Sequence, residues 1–372
     1  MTTAPARRMG VVGLALAFSA CCCETSPTHV VRAPVETFAT PRTDTPALRA
    51  LFFGDFGQAT CERDEVVEAM ARAHAAVPFD VAIDAGDNLY FCGPDTELPG
   101  AADCRFLPDG VTVDPAYHPP YDSRFDFQHE WALKSLDRPD GSPVPTWLAL
   151  GNHDVRTSAG CAVPGRSAAE TARLRACLEV AHESPHWRIP GRHYLVDEGA
   201  ACFLFVDSNA LVEPYGGGFG PDAEIAFVQQ AAPGCAGRPT FLVAHHPPAT
   251  AGSSQELGPV FHPQMDALLA SGAGTLSAVL AGHDHDLQHL RLPGGMDVFV
   301  SGSTCATHKE ALDRVSVAGT SLLFGSVVWG FAELSVWADG GWGMRFVSSG
   351  GDPLHCCQSA TPTAPCLSIA CP

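Results

Sequence analysis

The segment from Phe79 to Phe91 constrains this chain more than any other. Val81, Ile83 and Ala85 form a short apolar run bounded by turn residues, which reads as a buried strand, and it leads directly into Gly86-Asp87-Asn88-Leu89-Tyr90. An aspartate at a strand's carboxyl end lies where open α/β sheets bind their ligands. Its two oxygens can bridge two metal ions, and a phenol three residues on can reach one of them. A deprotonated tyrosine suits a hard trivalent ion such as Fe(III). The segment therefore predicts a two-metal site with Asp87 at its centre, and the remaining ligands must come from elsewhere in the chain.

The same pattern recurs. Leu51-Phe52-Phe53 is an apolar strand ending on Gly54-Asp55-Phe56-Gly57, and a helix over 62–76, with Val66, Val67, Met70 and Ala73 on one face, joins it to the Val81 strand. A βαβ unit places both strand ends on one edge of a sheet, so Asp55 and Asp87 converge. Residues 145–150 form a third strand, ending on Gly151-Asn152-His153-Asp154. Residues 241–244 deliver His245-His246, and residues 277–281 deliver Gly282-His283-Asp284-His285. Taken singly, each Gly-Asp is an ordinary turn and each histidine an ordinary structural residue. Five such strand ends in one chain collect carboxylate, phenol, amide oxygen and imidazole, a donor set for one hard trivalent and one divalent ion. His283 and His285 point the same way if their segment is extended.

Around these ends the chain alternates helix and strand. Residues 125–136 read as a helix with Trp131 and Leu133 as core contacts, and 168–180, 223–231 and 265–269 also read as helices. Residues 193–196 and 201–206 read as paired strands, the second ending on Asp207-Ser208-Asn209, and strands over 296–301, 328–337 and 343–347 close a second sheet. The 15 cysteines do not form paired CxxC zinc sites and fit disulfides in an oxidising compartment. Cys92 with Cys104, and Cys161 with Cys177, are each expected to close one loop. Cys356, Cys357, Cys366 and Cys371 are expected to staple a small tail over 350–372.

With 22 basic against 41 acidic residues and a formal charge of −19, nucleic acid and anionic membrane are excluded as partners held by charge. An acidic protein that binds phosphate does so locally, through metal ions. Residues 1–20 read as an export signal: Arg7-Arg8, an apolar run from Met9 to Phe18, then Ser19-Ala20 before Cys21. Phe18-Ser19-Ala20-Cys21 resembles the lipobox of bacterial lipoproteins, making Cys21 a candidate lipid anchor beside the alternative of simple secretion. The Thr-, Pro- and Ala-rich stretch over 21–47 then reads as a flexible tether.

The ordered set Gly54-Asp55-Phe56-Gly57, Gly86-Asp87-Asn88-Leu89-Tyr90, Gly151-Asn152-His153-Asp154, Val243-Ala244-His245-His246 and Gly282-His283-Asp284-His285 resembles the signature of the calcineurin-like metallophosphoesterases. It is most similar to the purple acid phosphatases. Most of the superfamily has a histidine two residues after the first aspartate, whereas this chain has Gly57 there and Tyr90 in the second motif. The run from Gly282 to Leu290, Ser301-Gly302 and Gly330-Phe331-Ala332 are further similar to the small tartrate-resistant acid phosphatases.

The resemblance implies an α/β fold, a metallophosphoesterase sandwich of two mixed β-sheets flanked by α-helices, over residues 48–349. It implies that Asp55, Tyr90 and His285 bind Fe(III), that Asn152, His246 and His283 bind a divalent Fe, Zn or Mn ion, and that Asp87 bridges them. The implied activity is hydrolysis of phosphomonoesters by in-line attack of a metal-bound hydroxide. His153 would stabilise the phosphoryl oxygens or protonate the leaving group, and Asp154 would orient it. The alternatives are a phosphodiesterase or nucleotide phosphohydrolase on the same fold, metal-centred redox chemistry, and a surface binding protein without turnover. Small acid phosphatases carry a histidine a few residues beyond the fourth motif. Residues 253–258 have none, and His262 is the candidate in its place. His118, His182, His186 and His193 are candidates for the pocket rim but read more readily as ordinary surface or core histidines.

Overall fold

The computed structural model describes residues 30–32, 40–158, 160–212, 215, 219–252, 257–307, 312 and 314–372. The expected leader over 1–20 and the candidate anchor Cys21 lie outside the described residues, as does most of the stretch read as a tether.

The strands, in chain order, are β1 (Val30–Arg32), β2 (Leu48–Phe53), β3 (Val81–Asp84), β4 (Thr146–Leu148), β5 (Tyr194–Asp197), β6 (Cys202–Phe205), β7 (Thr240–Val243) and β8 (Ala278–Ala281). They continue with β9 (Leu287–Arg291), β10 (Asp297–Ser301), β11 (Ser321–Ser326), β12 (Gly330–Val336), β13 (Trp342–Ser348), β14 (Pro353–Ser359) and β15 (Leu367–Ile369). They build two mixed sheets, ordered β1-β11-β9-β10-β8-β7-β6-β5 and β15-β14-β13-β12-β2-β3-β4. In the second sheet β2, β3 and β4 are parallel, and in the first β6, β7, β8 and β10 are parallel.

The two-residue period of a strand sorts side chains into layers. Ala50 and Phe52 of β2 face the other sheet, where they share a core with Phe203, Phe241, Phe299 and Trp342, while Leu51 and Phe53 face the helix Cys61–Ala76 through Val66 and Met70. Likewise Phe241 and Val243 of β7 enter the core between the sheets, and Leu242 and Ala244 pack under the helices Pro221–Ala231 and Gly258–Ser271. The result is an α/β sandwich of helices, sheet, sheet and helices. Thr60 starts the Cys61–Ala76 helix by accepting the Arg63 amide (3.1 Å) on its hydroxyl, and Ser167 with Glu170 forms a reciprocal capping box on Ala168–Ala181.

Three expectations are corrected. Residues 125–136 are a succession of short turns in place of one helix, including a π-helical turn over Asp126–Glu130. The wide turn adds a residue to the spiral, so Gln128 and His129 face inward and Trp131 is left 64% exposed; Leu133 is buried as expected. The loop cysteines pair crosswise, Cys92 with Cys161 and Cys104 with Cys177. The two long loops lie side by side over the same sheet edge and are stapled to each other. The tail is stapled as Cys356–Cys371 and Cys357–Cys366, but β14 pairs with β13 and β15 with β14, so it is the edge of the second sheet and not an appendage. A fifth bridge, Cys202–Cys235, ties β6 to the turn before β7. Within the stretch read as a tether, Val30–Arg32 pairs with β11 and Arg42 forms ion pairs with Asp44 and Asp339.

Candidate metal centre

The carboxyl ends of β2, β3, β4, β7 and β8 meet at one edge of the sandwich. Strand-like bonding continues just past the last strand residues: Asp55 N donates to Gly86 O (2.8 Å), Ala149 N to Asp84 O (2.9 Å) and Gly282 N to His245 O (3.1 Å). The chain then turns sharply. Asp55, Asp87 and His283 have φ of 55°, 61° and 72°, left-handed conformations that cost non-glycine residues about 1–3 kcal/mol each. These turns aim the three side chains at a common centre. The turn before Asn152 needs a glycine: a Cβ on Gly151 would lie 2.1 Å from Asp87 N and 2.2 Å from its Oδ1.

Asp87 divides the centre into two halves. On one side the Tyr90 hydroxyl donates to Asp87 Oδ2 (2.9 Å) and lies 3.1 Å from both Asp55 Oδ1 and His285 Nε2, which are themselves 3.3 Å apart. On the other side Asn152 Oδ1 lies 2.8 Å from His283 Nδ1 and 2.9 Å from His245 Nε2, and His245 Nε2 is 3.4 Å from Asp87 Oδ1. The His153 amide donates to that same Oδ1 (2.7 Å), and the His283 amide to Asp55 Oδ2 (2.8 Å).

The donor chemistry of the second half calls for a cation. His245 Nδ1 faces the Ala85 carbonyl at 2.9 Å, and a carbonyl only accepts, so this nitrogen carries the ring proton. Nε2 is then the ring nitrogen that faces an amide oxygen and a carboxylate, a donor set that a cation would join. In the first half, burial and then His245 and Asp87 act on Asp55, with the net result that its pKa rises well above the ordinary range. Burial acts against ionisation of Asp87 too, but His245, His153 and the His153 amide outweigh it and hold it low. Burial, then Asp55 and Asp87, push the Tyr90 hydroxyl well up, so its proton leaves only against a positive charge. Burial and His245 take His283 down to about 3, and burial lowers His285. Imidazoles, carboxylates and a phenol gathered with 0% to 13% side-chain exposure at Asp55, Asp87, His245 and His285 fit a pair of metal ions.

The expected residues Asp55, Asp87, Tyr90, Asn152, His283 and His285 thus meet. His246 stands one place aside. Its Nδ1 pairs with Ser208 Oγ (2.8 Å) while the Ser208 oxygen also accepts the His246 amide (3.0 Å), and its ring lines the adjoining cavity. The ring nitrogen facing Asn152 and Asp87 belongs to His245, although His245, His246 and His283 each offer a nitrogen within 4.8 Å of the others. Asp154 does not reach the His153 ring. Its carboxylate closes instead on its own turn, accepting the amides of Gly151 (2.6 Å), Leu89 (2.9 Å) and Asp87 (3.1 Å) and the Asn88 side-chain NH2 (3.0 Å). Burial and the Asp87 charge raise its pKa to about 7.

A cavity of about 750 Å³ opens beside Asn152 and is lined by His153, Arg156, Asn209 and His246 among others. Asn209 donates to the carbonyls of Leu150 and Gly151 (3.2 Å each), fixing the turn that carries Asn152. Ser208 and Asn209, unassigned from sequence, follow β6, whose polar ending Asp207-Ser208-Asn209 was the available signal. His262 is not among the cavity's lining residues. His186 is tied to Glu130 and Asp137, and His193 to Glu224, as structural histidines, while His118 and His182 line a separate cleft.

No protein-family model and no curated protein matches the sequence. Among solved structures, GAP50, the anchor in the inner membrane complex of Plasmodium, is similar with a TM-score of 0.60 and 15% identity over 83% of this chain and 87% of that one. The purple acid phosphatase PPD1 from yellow lupin (Lupinus luteus) seeds is similar with a TM-score of 0.55 and 14% identity over 83% of this chain. The match spans 53% of the lupin chain, about half its length. At such identities the likeness establishes the fold, a metallophosphoesterase-like α/β sandwich.

Proposed function

We propose that the protein is a dinuclear-metal phosphatase acting on phosphomonoesters. The observation that carries this is the division of donors by Asp87: Asp55, Tyr90 and His285 on its Oδ2 side, Asn152, His245 and His283 on its Oδ1 side. In this reading the first set holds Fe(III), the second holds a divalent Fe, Zn or Mn ion, and Asp87 belongs to both. His245 takes the ligand place expected of His246. Two ions so held draw charge from a phosphate ester and lower the pKa of bound water.

The chain's own groups prepare the site. The His153 and His283 amides fix the rotamers of Asp87 and Asp55, Asp154 locks the Asp87 turn to the Asn152 turn, and Asn209 supports the latter. His153, Arg156, Asn209 and His246 line a cavity next to Asn152 of about 750 Å³, large enough for an ester. The five bridges among the described residues support work in an oxidising compartment, after export. No helix among the described residues is long and apolar enough to cross a membrane, and the proposed envelope attachment rests on Cys21.

The test is an absorption spectrum of the purified mature protein with its iron content, before and after Tyr90→Phe, together with hydrolysis of phosphomonoesters, phosphodiesters and nucleoside diphosphates. A broad visible band that the variant loses, with monoesters cleaved best, is the expected outcome. A colourless, iron-free protein after oxidation removes the tyrosinate–iron assignment. Two bound metals with no hydrolysis of any ester would favour a binding role, which the name of the Plasmodium anchor also raises.

A further inference from the structure

Arg156 is the cavity's unassigned charge. Its Nε donates to Ser158 Oγ (2.8 Å), and its Nη1 lies 3.2 Å from both ring nitrogens of His153. His153 Nδ1 faces the Phe91 carbonyl at 3.0 Å and so carries the ring proton. An atom equidistant from both ring nitrogens lies over the face of the imidazole and not in the ring plane, so the Arg156 guanidinium rests on the His153 ring. His153 is thereby tied to Phe91 through Nδ1 and gives Arg156 a flat support.

Nη2 of Arg156 makes no hydrogen bond to the protein among the described residues, and no carboxylate of those residues forms an ion pair with it, in a chain carrying 41 acidic residues. The guanidinium lines the same cavity as Asn152, His153 and His246. We infer that Arg156 binds the phosphoryl oxygens of the substrate, in place of the histidine absent beyond the fourth motif, and that His153 is its positioning residue. The apolar lining residues of the same cavity, Val155, Ala168, Ala169, Ala172 and Val212, receive the alcohol. Arg156 is the one arginine or lysine among the described lining residues. A polyphosphate chain would find no further cation there, whereas a monoester of an apolar alcohol matches one cation against an apolar wall.

This inference rests on the phosphatase reading, and its test separates the two. Metal content, thermal midpoint and affinity for inorganic phosphate are measured on the metal-loaded protein for wild type, Arg156→Ala, Arg156→Lys, His153→Gln and His153→Leu. Arg156→Ala is expected to keep its metals and midpoint while phosphate affinity falls about 10- to 100-fold, the range for losing a charge-assisted bond. Arg156→Lys recovers part of it, because a compact ammonium keeps the charge but lacks the planar fork that rests on His153 while reaching Ser158 and an anion. His153→Gln and His153→Leu both remove the ring face beneath Arg156 and are each expected to lose part of the phosphate affinity that Arg156→Ala loses, with metals and midpoint kept. Aryl phosphates are expected to be cleaved with a lower KM than glycerol phosphate or a nucleoside diphosphate. Unchanged phosphate affinity in Arg156→Ala with metals in place overturns the role of Arg156 alone. A wild type that binds neither metal nor phosphate overturns the phosphatase reading and this inference with it.

Discussion

Gly57 and Tyr90 are locked together: the Tyr90 amide donates to the Gly57 carbonyl at 3.0 Å, and a Cβ on Gly57 would lie 2.2 Å from the carbonyl carbon and oxygen of Asn88. The Gly57 amide in turn donates to Asp87 O (3.0 Å). The loop that brings Tyr90 to the centre therefore occupies the space that any side chain two residues after Asp55 would need. Histidine at that place and tyrosine in the second motif are mutually exclusive on this backbone.

Gly57→Ala is accordingly expected to destabilise the protein by about 1–3 kcal/mol through overpacking and to displace Tyr90 from Asp55 and Asp87. Thermal unfolding reads the first effect, and loss of the visible band with a drop in iron content reads the second. An alanine variant with wild-type stability and spectrum would show that the loop can retreat without moving Tyr90.

Much of this was legible in the sequence because strand ends announce themselves. An apolar run, a glycine and a donor residue were enough to place Asp55, Asp87, Asn152 and His283. The motif pointed to His246, whereas the ring that faces Asn152 and Asp87 is that of His245, a difference the period-two code of β7 held. Phe241 and Val243 face the core between the sheets while Leu242 and Ala244 face the helices, and His245 continues the inward series. What could not be read was tertiary: a π-helical turn that rotates Trp131 outward, and loop cysteines whose partners depend on how two loops lie against each other.

That parity gives a direct comparison. His245→Ala removes the lone pair facing Asn152 and Asp87 and is expected to lower the content of the divalent ion by an affinity loss of at least about 10-fold. His246→Ala is expected to retain both ions, because its Nδ1 is engaged with Ser208. Metal analysis after dialysis against a weak chelator distinguishes them, and the reverse order would return the ligand place to His246.

Asp84 and His129, fully buried and 3.3 Å apart, look like an ion pair but are a neutral one. Burial lowers His129 from its ordinary 6.5 to about 3, and burial raises Asp84 well above 3.8, so a carboxylic acid donates to an imidazole. Folded, the pair holds one proton. Unfolded, it holds two below pH 3.8, one between 3.8 and 6.5, and none above 6.5. Stability from the pair is therefore flat between those values and declines on either side. Asp84→Asn leaves only the depressed histidine, so unfolding free energy should fall as pH drops below 6.5, by up to ~1.4 kcal/mol per unit. His129→Leu leaves only the raised carboxyl, so it should fall as pH rises above 3.8. Denaturant titrations of both variants across pH 4 to 8 on the ~1 kcal/mol scale resolve slopes of opposite sign. Slopes of reversed sign would mean that the fold favours the ionised groups.

The crosswise bridges supply the last prediction. Cys92–Cys161 joins residues 69 apart in sequence, while Cys356–Cys371 joins residues 15 apart. On the chain-entropy account the first restricts the unfolded chain by about 4 kcal/mol and the second by about 3 kcal/mol. The long bridge also holds Phe91, whose carbonyl accepts a hydrogen bond from His153 Nδ1, against the segment that follows His153. Replacing both its cysteines with serine is expected to lower stability more than the same change at 356 and 371. It should also weaken phosphate binding while leaving the metals in place, since Tyr90 is held separately through Gly57. Metal loss on removing Cys92–Cys161 would show instead that this staple, and not the Gly57 contact, sets the position of the tyrosine.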